Sequence, residues 1–158
     1  HSLSNLCRFA GHTKSFYSVA QHSWIIAKEL RKDGYNAITQ LTGLLHDGPE
    51  AYMVDLPSPI KKALPDYRHA EDKLMKRVEK QFFLLDDHDT KKIIHHYDIR
   101  ALATEARDLM NNVDNWIAKF NVEPFSDKIY PWLPAEAKRE FADAFDILMN
   151  EYLEELKK

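Results

Sequence analysis

The chain has 158 residues, 44% of them hydrophobic and 30% charged, with four glycines and a formal net charge of −3 from 22 basic and 25 acidic side chains. That length suits one domain with a sizeable core, taken as 1–158, and the composition excludes a disordered or fibrous chain. The interspersed charges leave no basic stripe for polymeric nucleic acid, and no apolar run reaches the roughly 18 to 20 residues needed to span a bilayer. No basic-then-apolar signal segment opens the chain, and a single cysteine, Cys7, cannot close an intrachain disulfide, so a cytoplasmic protein is expected. The first residue is His1 rather than Met, so the numbering can begin inside a longer chain.

The helical period of 3.6 dominates wherever periodicity shows, and neither repeats nor low-complexity tracts interrupt it, so the fold class is expected to be all-α. Ser15 or Ser18 can cap a first helix running to about Leu30, with Val19, His22, Ile26 and Leu30 on one face and Lys32 to Gly34 stopping it. Asn36 can cap a second helix through Leu41, Leu44 and Leu45 to His46-Asp47, where Gly48-Pro49 interrupts. The stretch "DLPSP", Asp55 to Pro59, is expected to be an extended loop, because proline disfavours helix in the residue before it. Asp66 can cap a third helix, Tyr67 to about Leu84, and Asp87 a long fourth from about Thr90 to Asn111. "VEPFSDKIYPWLP" is expected to be irregular. A last amphipathic helix, about Ala135 to Leu156, offers an apolar face that would suit a homo-oligomer.

The fourth helix carries the chemical signal. Its inward stripe at steps of three and four reads Ile94, Asp98, Leu102, Glu105, Leu109, so two carboxylates stand where the period calls for apolar residues. Buried carboxylates are costly unless paired, hydrogen-bonded or bound to a metal. Three helices thus direct His22, the adjacent His46-Asp47, and Asp98 toward one interior. Two imidazoles and two carboxylates suit a divalent ion of intermediate softness, Mn, Fe, Co, Ni or Zn, and suit Mg or Ca poorly. Blander alternatives stand beside this: His22 as a satisfied core histidine, His46-Asp47 as a helix-end polar pair, and Asp98 as the partner of Arg100 or Arg107.

The order His22, His46-Asp47, Asp98 resembles the H...HD...D pattern of the HD-domain metal-dependent phosphohydrolases, an all-helical superfamily, over most of the chain. "RFAGH" at Arg8 to His12, "YSVAQHS" at Tyr17 to Ser23, "HDGPEA" at His46 to Ala51, "DLPSP", and "DIRALATEARDLM" at Asp98 to Met110 narrow the resemblance. They are similar to the 5′-deoxynucleotidase branch and to small phage-type enzymes that include deoxyadenosine triphosphate triphosphohydrolases.

The resemblance implies a compact helical bundle around one divalent transition metal on His22, His46, Asp47 and Asp98, in a bacterial or phage-infected host cytosol. A second divalent ion would accompany a polyphosphate substrate. Glu50 matches the carboxylate that assists the reacting water or leaving group, and Gly48-Pro49 can turn it back toward the metal. Arg8 matches the arginine that orients phosphate, with fixed planar donors suited to that task. Asp55, Leu56, Pro57 and Ser58 match the loop that holds the sugar, and Asp55 also lies beside the reaction centre and can share the proton transfer. Phe9 stands where the deoxynucleotidases have a tryptophan near the sugar C2′, and can still exclude a 2′-hydroxyl. Lys61, two residues beyond "PSP", is a candidate contact for a polyphosphate tail; the alternative is a solvated lysine beside Lys62.

The implied activity is hydrolysis of a deoxynucleotide, with a purine triphosphate such as dATP giving deoxynucleoside plus triphosphate. Its alternatives are a 5′-deoxynucleotidase acting on monophosphates, a cyclic or guanosine-type nucleotide hydrolase, and a catalytically silent, metal-stabilised binding module. His95 and His96 are expected at the surface, Glu105 as support for an arginine or a helix end, and Trp116 and Trp132 in the core or at a subunit contact.

Overall fold

Ser18 and Asn36 each start a helix by the same device. The Ser18 side chain accepts from the Gln21 amide and opens α2, Val19–Lys32; that of Asn36 accepts from the Thr39 amide and opens α3, Ala37–Leu45. Between them Gly34, at φ +80°, supplies the left-handed residue that ends α2. The computed structural model describes residues 1–111 and 121–157.

Every residue of α3 is buried, as befits a short helix that is apolar nearly all round. Leu41 and Leu44 are fully buried, each contributing about 1.5 to 3 kcal/mol relative to exposure. Gly43 lets α3 approach α2: a Cβ there would lie 2.6 Å from Leu30 Cδ1 and 3.1 Å from Ile26 Cγ2. Asp87 accepts from the Thr90 amide and opens α7, His88–Leu109 (the numbering counts the short helices below), which brings Ile94, Tyr97 and Leu109 onto the α2 side of the core. The last helix, α8, Pro134–Glu155, packs against α2 and α3 through Phe141, Phe145, Leu148 and Tyr152. Much of its expected free apolar face is therefore spent within the chain, leaving Ile147, Leu153 and Leu156 exposed.

The remaining helices are short or peripheral: α1, Ser2–Asn5; α4, Glu50–Met53; α5, Ser58–Ala63; and α6, Pro65–Phe82. Arg8–Gly11 forms a single tight turn with left-handed residues inside it. Pieces of four to six residues have too few turns to show a period, which is why α1, α4 and α5 were not expected. Among the described residues there is no strand, only an isolated bridge between Cys7 and Ser18, and the architecture is all-α. No described helix is long and apolar enough to cross a membrane.

Two boundaries differ in an informative way. The stretch from Asp55 is extended only as far as Pro57, and Ser58 begins α5 with proline in its first turn. Proline is tolerated there because the first amides of a helix lack intrahelical partners anyway. Asp66 lies inside the first turn of α6 rather than capping it, because Pro65 already occupies the helical start and Leu64 takes the cap position. Residues 121–133 are irregular, as expected, and Trp132 packs edge-on to Trp24 at 4.7 Å. Trp116 lies outside the described residues.

Candidate functional site

His22 sits one turn into α2 and is fully buried. Its Nδ1 lies 2.6 Å from Glu105 Oε1 on α7, which turns Nε2 the other way. His46 follows the last residue of α3, with Nδ1 2.8 Å from the Gly43 carbonyl, so its Nε2 is directed out as well. The two Nε2 atoms are 3.4 Å apart. Asp47 Oδ2 lies 3.6 Å from the first and 3.3 Å from the second.

Donor atoms of His22, His46 and Asp47 all fall within 4.8 Å of one another. Asp98 Oδ1 joins from the more open side, 3.2 Å from His22 Nε2 and 4.0 Å from His46 Nε2. An ion with bonds of about 2.0 to 2.2 Å places neighbouring ligand atoms roughly 3.0 to 3.5 Å apart, so His22, His46 and Asp47 form a group that could hold a metal ion. Neither arginine considered for Asp98 is its partner: Arg100 lies 3.9 Å from Asp33, and Arg107 pairs with Asp108 at 2.8 Å.

Electrostatics follow from this crowding. Burial works against the carboxylate charge of Asp47, but His46, His22 and Arg8 hold it well below its usual range, and His22 and His46 hold Asp98 low in the same way. Burial and Arg8 oppose the charge on His22, yet Glu105 and Asp98 push it up to about 10 when no ion is present.

Arg8 enters through an unusual turn. Phe9, Ala10 and Gly11 have successive φ values of 57°, 50° and 79°, and this left-handed run turns the chain sharply after Arg8, whose side chain is buried. Arg8 Nη1 lies 3.3 Å from Asp47 Oδ2 and Nη2 3.5 Å from Glu105 Oε2, while its buried Nε has no hydrogen-bond partner. The Phe9 ring centroid lies 5.2 Å from the guanidinium carbon. Burial disfavours the charge, but Glu105, Asp47, Asp55 and Asp98 keep the guanidinium protonated.

The turn after α3 is tight rather than a clean break. Gly48 donates to the Leu45 carbonyl at 2.9 Å and Glu50 to that of Asp47 at 3.0 Å. A Cβ on Gly48 would stand 2.9 Å from the Leu45 oxygen, which explains the glycine. Glu50 emerges 4% exposed, with Oε2 buried and unpartnered. Burial first, then Asp47 and Asp55, push its carboxyl up to about 9, against Arg8 and Lys61.

Two cavities flank the cluster. One of about 430 Å³ is lined by Arg8, Phe9, the segment Asp55 to Pro59, Lys62, Asp98, Ile99 and Leu102. The other, about 170 Å³, brings His46, Asp47 and Glu50 against Lys61, Glu71 and Asp72. Asp55, Leu56, Pro57 and Ser58 therefore share a cavity with Arg8 and Phe9, and Lys61 does not. Lys61 is half-buried, 2.7 Å from Glu71 and 3.5 Å from Glu50. His95 and His96 are exposed.

Glu105 lay on the sequence stripe, but Tyr17, whose hydroxyl donates to Glu105 Oε1 at 2.9 Å, precedes any helical period and gave no signal. Glu71 and Asp72 gave none either, because their role depends on how α6 lies over the end of α3.

No family model matches the chain. It is 41% identical to the uncharacterized protein YfdR of Escherichia coli over 108 residues, 68% of the chain and 57% of the relative. It is 33% identical to an uncharacterized protein of Rhodobacter capsulatus over 89 residues, 53% of the chain and 45% of that relative. The chain thus spans about half the length of the curated relatives it matches.

Proposed function

We propose that the chain is an HD-type, metal-dependent phosphohydrolase of deoxynucleotides. The observation that carries this reading is the convergence of two imidazole Nε2 atoms and the Asp47 and Asp98 carboxylates, with Arg8 Nε and Glu50 Oε2 buried beside them and unpartnered. A purely structural metal site has no use for those two extra groups.

His22, His46, Asp47 and Asp98 would hold the ion. Bound there, a divalent metal supplies Lewis acidity toward phosphoryl oxygen and lowers the pKa of water toward neutrality. The chain's own groups do the rest. Arg8, fixed by Asp47 and Glu105, offsets negative charge that grows on the phosphoryl oxygens. Glu50 exchanges a proton at Oε2, with Asp55 alongside, as a water oxygen bonds to phosphorus and the sugar 5′-oxygen leaves with a proton. The larger cavity has room for a nucleoside, and Phe9, Leu56, Ile99 and Leu102 make part of its wall apolar, unfavourable to a 2′-hydroxyl.

The favoured substrate is a purine deoxynucleoside triphosphate such as dATP, with Lys61 exchanging Glu71 for the phosphate tail and a second divalent ion accompanying that tail. A second reading, release of phosphate from deoxynucleoside monophosphates, is favoured by one specific observation: Lys61 already pairs with Glu71 and Glu50 in a cavity that Asp47 and Asp72 make more acidic.

The test is a screen of deoxynucleoside mono-, di- and triphosphates with Co, Mn and Zn, resolving products by chromatography. Triphosphate released from dATP is the expected result; phosphate from dAMP with dATP untouched selects the second reading. Turnover of a cyclic or guanosine-type nucleotide alone would replace both. A folded protein that binds Co but turns over nothing is the silent binding module. Homo-oligomerisation belongs to the same proposal, and light scattering measures it.

A further inference from the structure

We infer that Glu105 is a positioning residue that ties the metal ligand His22 to the phosphate-binding Arg8, so that one buried carboxylate sets both halves of the site; this rests on the phosphohydrolase reading above. Glu105 is completely buried on α7, where a carboxylate persists only with several partners. Both of its oxygens are engaged. Oε1 faces His22 Nδ1 at 2.6 Å and accepts from the Tyr17 hydroxyl at 2.9 Å; Oε2 faces Arg8 Nη2 at 3.5 Å.

The two engagements have different consequences. With Nδ1 donating to Glu105, the neutral ring would offer the Nε2 lone pair to an ion held together with Asp47 and Asp98, and the carboxylate would raise the basicity of that nitrogen. On the other side, Arg8 is stretched between Glu105 and Asp47, with Nη2 on one and Nη1 on the other. That fork fixes the plane of the guanidinium and uses two of its five N–H donors, leaving Nε and the second N–H of each terminal nitrogen for an anion that approaches with the metal filled. Without the Glu105 charge, Arg8 keeps Asp47 as its remaining ion pair and would draw that oxygen away from the metal. His22 would at the same time be free to turn or to change tautomer. A carboxylate that only stabilised the fold would lower the melting temperature and leave the ion and anion affinities of the folded protein unchanged.

The test uses the full chain, with folding checked by circular dichroism. Co²⁺ affinity is measured by chelator competition, and inorganic phosphate binding to the Co²⁺-saturated protein by calorimetry. Glu105→Gln is expected to lose about ten- to a hundredfold in Co²⁺ affinity, and to bind phosphate more weakly even with the metal site filled. If both affinities of the folded variant match wild type, the inference is overturned while the metal reading stands. If only the Co²⁺ affinity falls, the tie to Arg8 is overturned. Should Glu105→Gln not fold, Tyr17→Phe decides: it removes one donor from Oε1 and should cost roughly two- to tenfold in Co²⁺ affinity, and no change would overturn the inference. Wild-type protein that takes up no Co²⁺ would instead remove the functional reading itself.

Discussion

Around α2, α3 and α7 three polar side chains of the site are each gripped by a supporting group: His22 by Glu105, His46 by the Gly43 carbonyl, Arg8 by Asp47 and Glu105. On α5 and α6 the corresponding groups are paired too, Lys61 with Glu71, but they are less buried. Neither Lys61 nor Glu71 is fully buried, α5 buries no residue, and Glu79 is the one buried residue of α6. This outer hairpin is also bracketed by two exposed residues with positive φ, Val54 at 66° and Phe83 at 55°. The contrast matches two demands: ligand atoms must hold fixed separations, whereas a substrate must enter and leave past the walls that cover it.

The strongest challenge to this contrast is Asp47→Ala. It removes a proposed ligand and the Nη1 partner of Arg8 together, so Co²⁺ affinity should drop by more than about a hundredfold, beyond what loss of a supporting group costs. Chelator competition measures it, and near-wild-type affinity would show that the inner cluster is not the metal site.

Next in size is Gly43→Val. The added Cβ meets Leu30 Cδ1 at 2.6 Å, so urea unfolding should register a loss of about 1 to 3 kcal/mol. Because the Gly43 carbonyl holds His46, metal affinity should fall with it. Unchanged stability would mean that the inner helices are as adjustable as the hairpin.

A smaller effect concerns pH. The ion-free fold raises His22 from 6.5 to about 10 and Glu50 from 4.5 to about 9, so both bind their protons more tightly folded than unfolded. The Glu50 contribution to stability is whole below pH 4.5 and fades toward 9; that of His22 is whole below 6.5 and fades toward 10. Asp47 and Asp98, held low, act oppositely and lose their contributions as acid protonates them. With chelator present, the melting temperature should therefore decline from pH 6.5 to 9, and Co²⁺ should flatten the decline by replacing the His22 proton. A flat profile with chelator would remove the proton from His22.

The smallest change sharpens the picture of the hairpin. Val54 has φ 66° and ψ 159°, a region that suits glycine and strains a β-branched residue. Val54→Gly should relieve that strain, partly offset by glycine's greater freedom in the unfolded chain, for a net gain of up to about 1 kcal/mol in urea unfolding. A loss would show that the hairpin's entry is not strained.

The sequence by itself determined the all-α class, the caps at Asn36 and Asp87, a cap at Ser15 or Ser18 between which the structure selects Ser18, and the placing of His22, Asp98 and Glu105 on inward faces, because capping chemistry and a 3.6-residue period are local and survive without tertiary information. It also marked His46-Asp47 as an odd polar end to an apolar helix. Only the tertiary structure decided what those residues meet. Tyr17 reaches Glu105 across 88 positions, Arg8 reaches Asp47 across 39, and Lys61 is turned toward Glu71 instead of into the cavity that holds Asp55 to Ser58. Such pairings depend on the rotation and approach of whole helices, set by packing at places such as Gly43, and no pattern within one helix encodes them.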